Sequence, residues 1–170
     1  RENELRVKTY LIFKPPFMSE GDALNHTTKW ISQVSKYSDE VSVNPMNIQK
    51  NTVVDRLFRN GEYRPPWLWS LVEMVKRSYE EISSSQCRII IHPTAGGKIR
   101  GAHNCGSCDD DVVAAIERFS VSADIGEFEG LGCQCEEHWK AELGIDQTLP
   151  LPLGTGAFRR GNPIDLVRAP

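Results

Sequence analysis

The chain has 170 residues, a charged fraction of 25% and a formal net charge of -3, enough for one apolar core with a small appendage and without the basic excess of a general nucleic-acid binder. No apolar run approaches the length needed to cross a bilayer, so no membrane partner is expected. The basic pairs Lys98 with Arg100 and Arg159 with Arg160 are small and read as solvated surface.

The first residues, Arg1 to Glu4, are charged rather than signal-like, which points to the cytoplasm. The chain enters an apolar run almost at once, with neither a methionine nor a cap before it, as expected of a piece cut from something longer. Leu5 to Phe13 alternates and then turns continuously apolar, predicting a strand in a sheet covered on both faces; Pro15 and Pro16 stop it. Ser19 offers a helix N-cap, and Ala23, Leu24, Trp30, Ile31 and Val34 lie close to one helical stripe. Glu40 to Asn44 reads as a short second strand, followed by a loop to Asn51 and a brief helix from about Thr52 to Arg59, ended by Asn60-Gly61. Pro65 and Pro66 suit the first turn of a helix on which Trp67, Leu68, Leu71, Val72, Val75, Tyr79 and Ile82 recur, with Ser83 to Ser85 breaking it. Cys87 to His92 makes a third strand, closed by Pro93.

Three strands alternating with helices imply an α/β fold with parallel pairing through right-handed crossovers. In such sheets the loops leaving the carboxyl ends of the strands carry the chemistry. Here they are 14–18, 44–51 and 92–100, and their candidate contacts are Lys14, Asn44, Asn47, Gln49, His92 and Lys98, each of which is equally at home as a cap or turn residue. Thr94-Ala95-Gly96-Gly97-Lys98 lacks the spacing of a phosphate loop and reads as a flexible loop.

Asp109, Asp110 and Asp111 open a helix with Val112, Val113, Ile116 and Phe119 inward, where their charge suits the helix dipole. Ser120 to Gly132 reads as an acidic loop, Glu136 to Leu143 as a short amphipathic helix ended by Gly144, and the proline-rich residues from Thr148 as an extended tail. Around that predicted helix pair stand four of the five cysteines, as Cys105-Gly-Ser-Cys108 and Cys133-Gln-Cys135. Two short chelating turns separated by a helix suit a tetrahedral thiolate set, and structural zinc is the favoured occupant. Two disulfides, ordinary buried thiols or an iron-sulfur cluster are the alternatives. His103 and His138 flank the set and could replace one cysteine.

Val7 to Phe17, Val43 to Gln49 and Val53 to Pro66 resemble the second half of radical SAM enzymes of the elongator-catalytic-subunit-like archaeal group, and within it those that modify a tRNA nucleoside in the archaeosine-type pathway. The resemblance covers about residues 5 to 145. It implies half of a radical SAM barrel, a partial (βα) barrel of about three strands over residues 1–100, then a cysteine-rich metal-binding extension over 101–145 and a tail over 146–170. For the whole protein it implies SAM, a [4Fe-4S] cluster and tRNA, with Lys14, Asn44, Asn47, Gln49 and His92 helping to line the cofactor and substrate cavity. The missing amino-terminal half is then a partner of this chain, and an exposed sheet edge would also allow a homo-oligomer.

The Cys-x3-Cys-x2-Cys triplet that holds the cluster in that family does not occur here, so this chain alone is expected to be unable to cleave SAM. A rival reading is a non-enzymatic zinc-containing module that binds nucleic acid or protein. A small α/β enzyme complete in itself is disfavoured, because no Ser-His-Asp or Cys-His arrangement stands out.

Overall fold

The computed structural model describes residues 5–82 and 85–148. Three parallel strands, β1 (Lys8–Phe13), β2 (Glu40–Pro45) and β3 (Arg88–Ile91), lie side by side in that order. Thr9 stands beside Val41 and Val41 beside Ile89, so Thr9, Leu11 and Phe13 share a face with Val41, Val43, Ile89 and Ile91. The connections are helical: α1 (Glu20–Val34) joins β1 to β2, α2 (Val53–Arg59) and α3 (Leu68–Ile82) join β2 to β3, and α4 (Asp109–Ser122) and α5 (Cys135–Thr148) follow. The α/β class and the parallel order are as the sequence indicates; the sheet is open, and no barrel closes among the described residues.

One face of the sheet carries the core. Phe13, Val41, Val43, Ile89 and Ile91 are buried there, in one apolar cluster with Leu24 and Ile31 of α1, Leu71, Met74 and Val75 of α3, Ile116 and Phe119 of α4, and Trp139 and Leu143 of α5. The other face departs from expectation. Tyr10 is 65% and Ile12 61% exposed, so β1 is an edge strand bare on one side rather than covered on both. A continuous apolar run looks the same in sequence whichever face is covered, and this run fills only one.

Other departures have local causes. Trp30 lies off the buried stripe of α1, which consists of Ala23, Leu24, Thr27 and Ile31; its indole N–H donates instead to His26 Nε2. The loop expected from Ser120 begins only after Ser122, because Ser120 Oγ accepts from Ile91 N and thereby ties the helix end to β3. A 3-10 turn, Ile125–Phe128, then seats Phe128 against Phe119 with ring centroids 5.2 Å apart. Gly144 does not end α5. A mid-helix glycine costs only about 1 kcal/mol, and Asp146, accepting from Gly21 N at 3.0 Å, holds the helix onto α1 beyond it. The expected tail from 146 therefore begins inside α5, and residues 149–170, with Arg159 and Arg160, lie outside the described residues.

The 94–102 segment, read as a flexible loop, is a closed series of turns. Gly97 N donates to Ala102 O at 2.9 Å and Gly101 N to Lys98 O at 2.8 Å. Any Cβ at position 101 would fall 2.1 Å from Ala95 O, so only glycine fits there. Among the described residues no helix is long and apolar enough to cross a membrane.

Candidate metal centre

Each half of the site comes from one knuckle. Cys105 and Cys108 stand on the turn just before α4, with Cys108 at its N-cap; Cys135 opens α5, and Cys133 lies two residues before it. Gly106, at φ 92°, adopts a conformation that other residues rarely reach, which lets the first turn curl both sulfurs toward one point. Asp109 closes that turn. Its Oδ1 accepts from Asn104 N at 2.9 Å and its Oδ2 from Gly106 N at 2.7 Å, so the first carboxylate of the acidic triplet braces the knuckle as well as the helix dipole.

The four sulfurs converge. Cys105 lies 4.0 Å from Cys108 and 3.7 Å from Cys133, Cys108 lies 3.7 Å from Cys135, and all four lie within 4.8 Å of one another. A tetrahedron built on metal–sulfur bonds of about 2.3 Å has edges of about 3.8 Å, so these separations suit one ion at the centre of four thiolates. A four-iron cube spreads its cysteines further apart than this, so the separations favour a single ion. All five cysteines are free thiols in this structure. The group contains neither flanking histidine: His103 is buried with Nδ1 2.9 Å from Gly101 O, and His138 is exposed. Cys87 is buried on the edge of the core, outside the group.

Electrostatics around the bare thiols are uneven. Burial pushes Cys108 up to about 11 against the pull of the Asn104 amide, and burial likewise raises Cys135 against the Trp69 indole. Burial works against ionising Cys105 too, but the Ser107 backbone N–H and the neighbouring thiols outweigh it and bring that thiol down to about 7. A cation at the centre supplies the charge that holds all four as thiolates.

Two donors already aim at sulfur. Asn104 Nδ2 lies 3.4 Å from Cys108 Sγ and Trp69 Nε1 3.2 Å from Cys135 Sγ. Asn104, fully buried, also accepts from Trp69 N through Oδ1 at 3.3 Å, satisfying an amide at the start of α3. Two further indoles complete the link between α3 and α5: Trp67 Nε1 donates to Glu142 at 2.8 Å, and Trp139 Nε1 to Ser70 Oγ at 2.8 Å. The four-sulfur set is thus fastened to the amino-terminal turn of α3. Sequence reasoning missed Asn104, Asp109 and Trp69 in these roles. Asn and Asp bracketing a knuckle are a turn signal, whereas Trp69 is 66 residues from Cys135 and nothing local marks it.

The other predicted contacts lie at the carboxyl ends of the strands. Lys14, at φ 53°, turns its ammonium inward onto the buried Glu20 carboxylate, while its carbonyl accepts from Tyr63 OH at 2.7 Å. Glu20 also accepts from Trp67 N at 2.9 Å, so this ion pair meets the start of α3 from the other side. Asn44 Nδ2 donates to Ser42 O at 3.3 Å; Asn47 is half-buried, and Gln49, His92 and Lys98 are exposed.

Three curated proteins are similar to the chain. An archaeosine synthase subunit beta of Methanosarcina acetivorans is 35% identical over 140 residues, 82% of this chain and 40% of that protein. Its namesake in Thermococcus kodakarensis is 39% identical over 136 residues, 79% of this chain and 41% of that protein. An uncharacterized protein of Methanocaldococcus jannaschii is 32% identical over 155 residues, 87% of this chain and 40% of that protein. The chain therefore spans about two fifths of the length of these relatives. No protein-family model and no solved structure matches it.

Proposed function

We propose that this chain is the carboxyl-terminal part of a radical SAM enzyme that modifies a tRNA nucleoside in archaeosine formation, with a structural zinc ion on Cys105, Cys108, Cys133 and Cys135. The observation that carries the reading is the 35–39% identity to two archaeosine synthase beta subunits over about four fifths of the chain. The word subunit in their names supports a further protein partner beside tRNA.

The bare side of the sheet supports the same reading. Tyr10 and Ile12 are exposed on it beside Ser42, whose buried hydroxyl has no hydrogen-bond partner among the described residues, and Asn44 and Ile90. Such a mixed polar and apolar face suits the inside of a barrel completed by strands from the rest of a longer protein, and residues 1–100 are then its rear half. The cluster that activates SAM belongs to that remainder, since the thiolates here suit one ion only. Lys14, Asn44, Asn47, Gln49 and His92 are the contacts this chain would offer to the cofactor and substrate. Residues 101–145 form the cysteine-rich extension, closed by four protein ligands and therefore structural rather than catalytic.

Complementation tests the reading. The intact protein, expressed in an archaeal strain deleted for its own archaeosine synthase beta subunit, is expected to restore archaeosine in bulk tRNA, measured by mass spectrometry of digested nucleosides. Folded, abundant protein with no archaeosine in the tRNA would contradict it.

A further inference from the structure

We propose that the rim made by the β2–α2 loop, α2 and the β3–α4 loop is a surface that grips the phosphate backbone of RNA, an inference that rests on the tRNA reading above. Within 46–61 and 93–102 the chain carries Lys50, Arg56, Arg59, Lys98 and Arg100 against one carboxylate, Asp55. That excess of four within the two segments, bordered by the exposed Asp110 beside Gly97 and by the half-buried Glu62 just after α2, stands on a molecule whose formal net charge is -3. The five cations are spread over 51 positions in sequence, and the fold collects them.

Backbone and side chain pin the two loops to each other. Ile48 N donates to Arg100 O at 2.8 Å, and the Arg100 guanidinium returns a bond to Ile48 O at 3.3 Å. Lys50 and Lys98 each stand two residues from that junction and are exposed. The close turns around Gly97 and Gly101 hold the second loop in shape, so Lys98 is presented from a fixed backbone.

The single carboxylate is turned inward. Asp55 is 1% exposed, with Oδ1 2.6 Å from the Arg100 guanidinium and Oδ2 2.5 Å from that of Arg59; Asn51 N donates to it at 2.9 Å. The Arg100 guanidinium beside it, then the Asn51 amide, hold its carboxyl well below the usual range, at about 2. One buried anion thus orients two arginines. The Arg59 side chain stays 63% exposed and that of Arg100 30%, leaving N–H donors for a ligand. Guanidinium groups held in this way match phosphate oxygens in pairs.

RNA fits the rim better than other anionic partners. The cations run along α2 and across to the neighbouring loop, as repeated phosphates require. Gln49, Asn51 and Asn60 are exposed among them and can donate to ribose or phosphate oxygens. The rim also lies at the carboxyl ends of β2 and β3, the end that carries Asn44 and His92, so RNA held there by its backbone is held beside the candidate substrate contacts.

Salt-dependent binding tests the rim. The intact protein is titrated against a fluorescein-labelled tRNA transcript by anisotropy at several KCl concentrations, as wild type and as K50E/R56E/K98E, three exposed cations that make no ion pair among the described residues. A control, K29E/K36E/K76E, applies the same charge change to exposed lysines elsewhere. Each lost phosphate contact lowers the slope of log affinity against log salt by about 0.7–0.9. The rim variant is expected to lose a slope of about 2 and at least tenfold in affinity near 100 mM salt, with its thermal transition kept, and the control to match wild type. The milder K50Q/R56Q/K98Q is expected to give an intermediate loss. Wild-type affinity and slope in the rim variant would overturn the proposal while leaving the tRNA reading standing, and so would a rim variant that keeps tRNA but sheds a protein subunit. Absence of salt-dependent tRNA binding by the wild-type protein would overturn both.

Discussion

Two regions of the molecule meet the same helix, α3, by different means. The sheet and α1 press apolar side chains onto it: Leu71, Met74 and Val75 are fully buried in the cluster that holds Phe13, Val41 and Ile91. The two cysteine knuckles and α5 meet its first turn through polar hydrogens instead, from Trp69 N to Asn104 Oδ1 and from the indoles of Trp67, Trp69 and Trp139. Burial of apolar surface is non-directional and tolerates small shifts, whereas a four-sulfur set is all or none. The body should therefore lose stability by degrees, and the clamp at once.

Metal removal should separate the two most sharply. Chelation of the purified protein, or Cys108→Ser, is expected to strip hydrogen-exchange protection from α5 and both knuckles while the strands keep theirs; in small zinc domains the ion supplies on the order of 10 kcal/mol. Equal loss across β1–β3 and α5 would show that the two regions are not distinct. The reverse perturbation is Leu71→Ala, which opens a cavity in the body and should destabilise the protein by about 2–5 kcal/mol in denaturant unfolding, with metal content unchanged.

A smaller effect probes the bridge between them. Trp69→Phe keeps an aromatic side chain but removes the N–H that donates to Cys135, and metal affinity is expected to fall about 10- to 100-fold. Unchanged affinity in a chelator competition would remove Trp69 from the site. The smallest effect belongs to the rim. The Asp55 carboxyl drops from 3.8 to about 2 on folding, so the folded state binds fewer protons in that range. Its contribution is complete above about pH 4 and lost as pH falls toward about 2. Asp55→Asn should flatten the stability profile over that window, and parallel profiles for the two proteins would contradict the pairing.

The same contrast explains what could be read from sequence. Runs such as Val41–Val43 and Ile89–Ile91 announce buried parallel strands, and Cys-x-x-Cys with Cys-x-Cys announces a chelating pair, because both signals are local. The bare side of β1 was not legible, since Tyr10 and Ile12 belong to the same apolar run as the half-buried Leu11 and the buried Phe13 with which they alternate. Nor was α5 beyond Gly144, where a bond from Gly21 N to the Asp146 carboxylate overrides a local stop signal. Lys98 and Arg100 look like an isolated surface pair until the junction at Ile48 brings Lys50 and α2 beside them. Such features depend on contacts between distant residues, which composition and periodicity do not carry.

Elemental analysis of the anaerobically purified intact protein, with its visible spectrum, bears most directly on the sulfur clamp, provided that the SAM cluster proposed for the rest of the protein is removed in a variant lacking its ligands. The predicted result is about one zinc per chain in a colourless variant, lost together with Cys105 and Cys108. Iron with sulfide retained at these four cysteines, or thiols paired as disulfides with no metal, would contradict it.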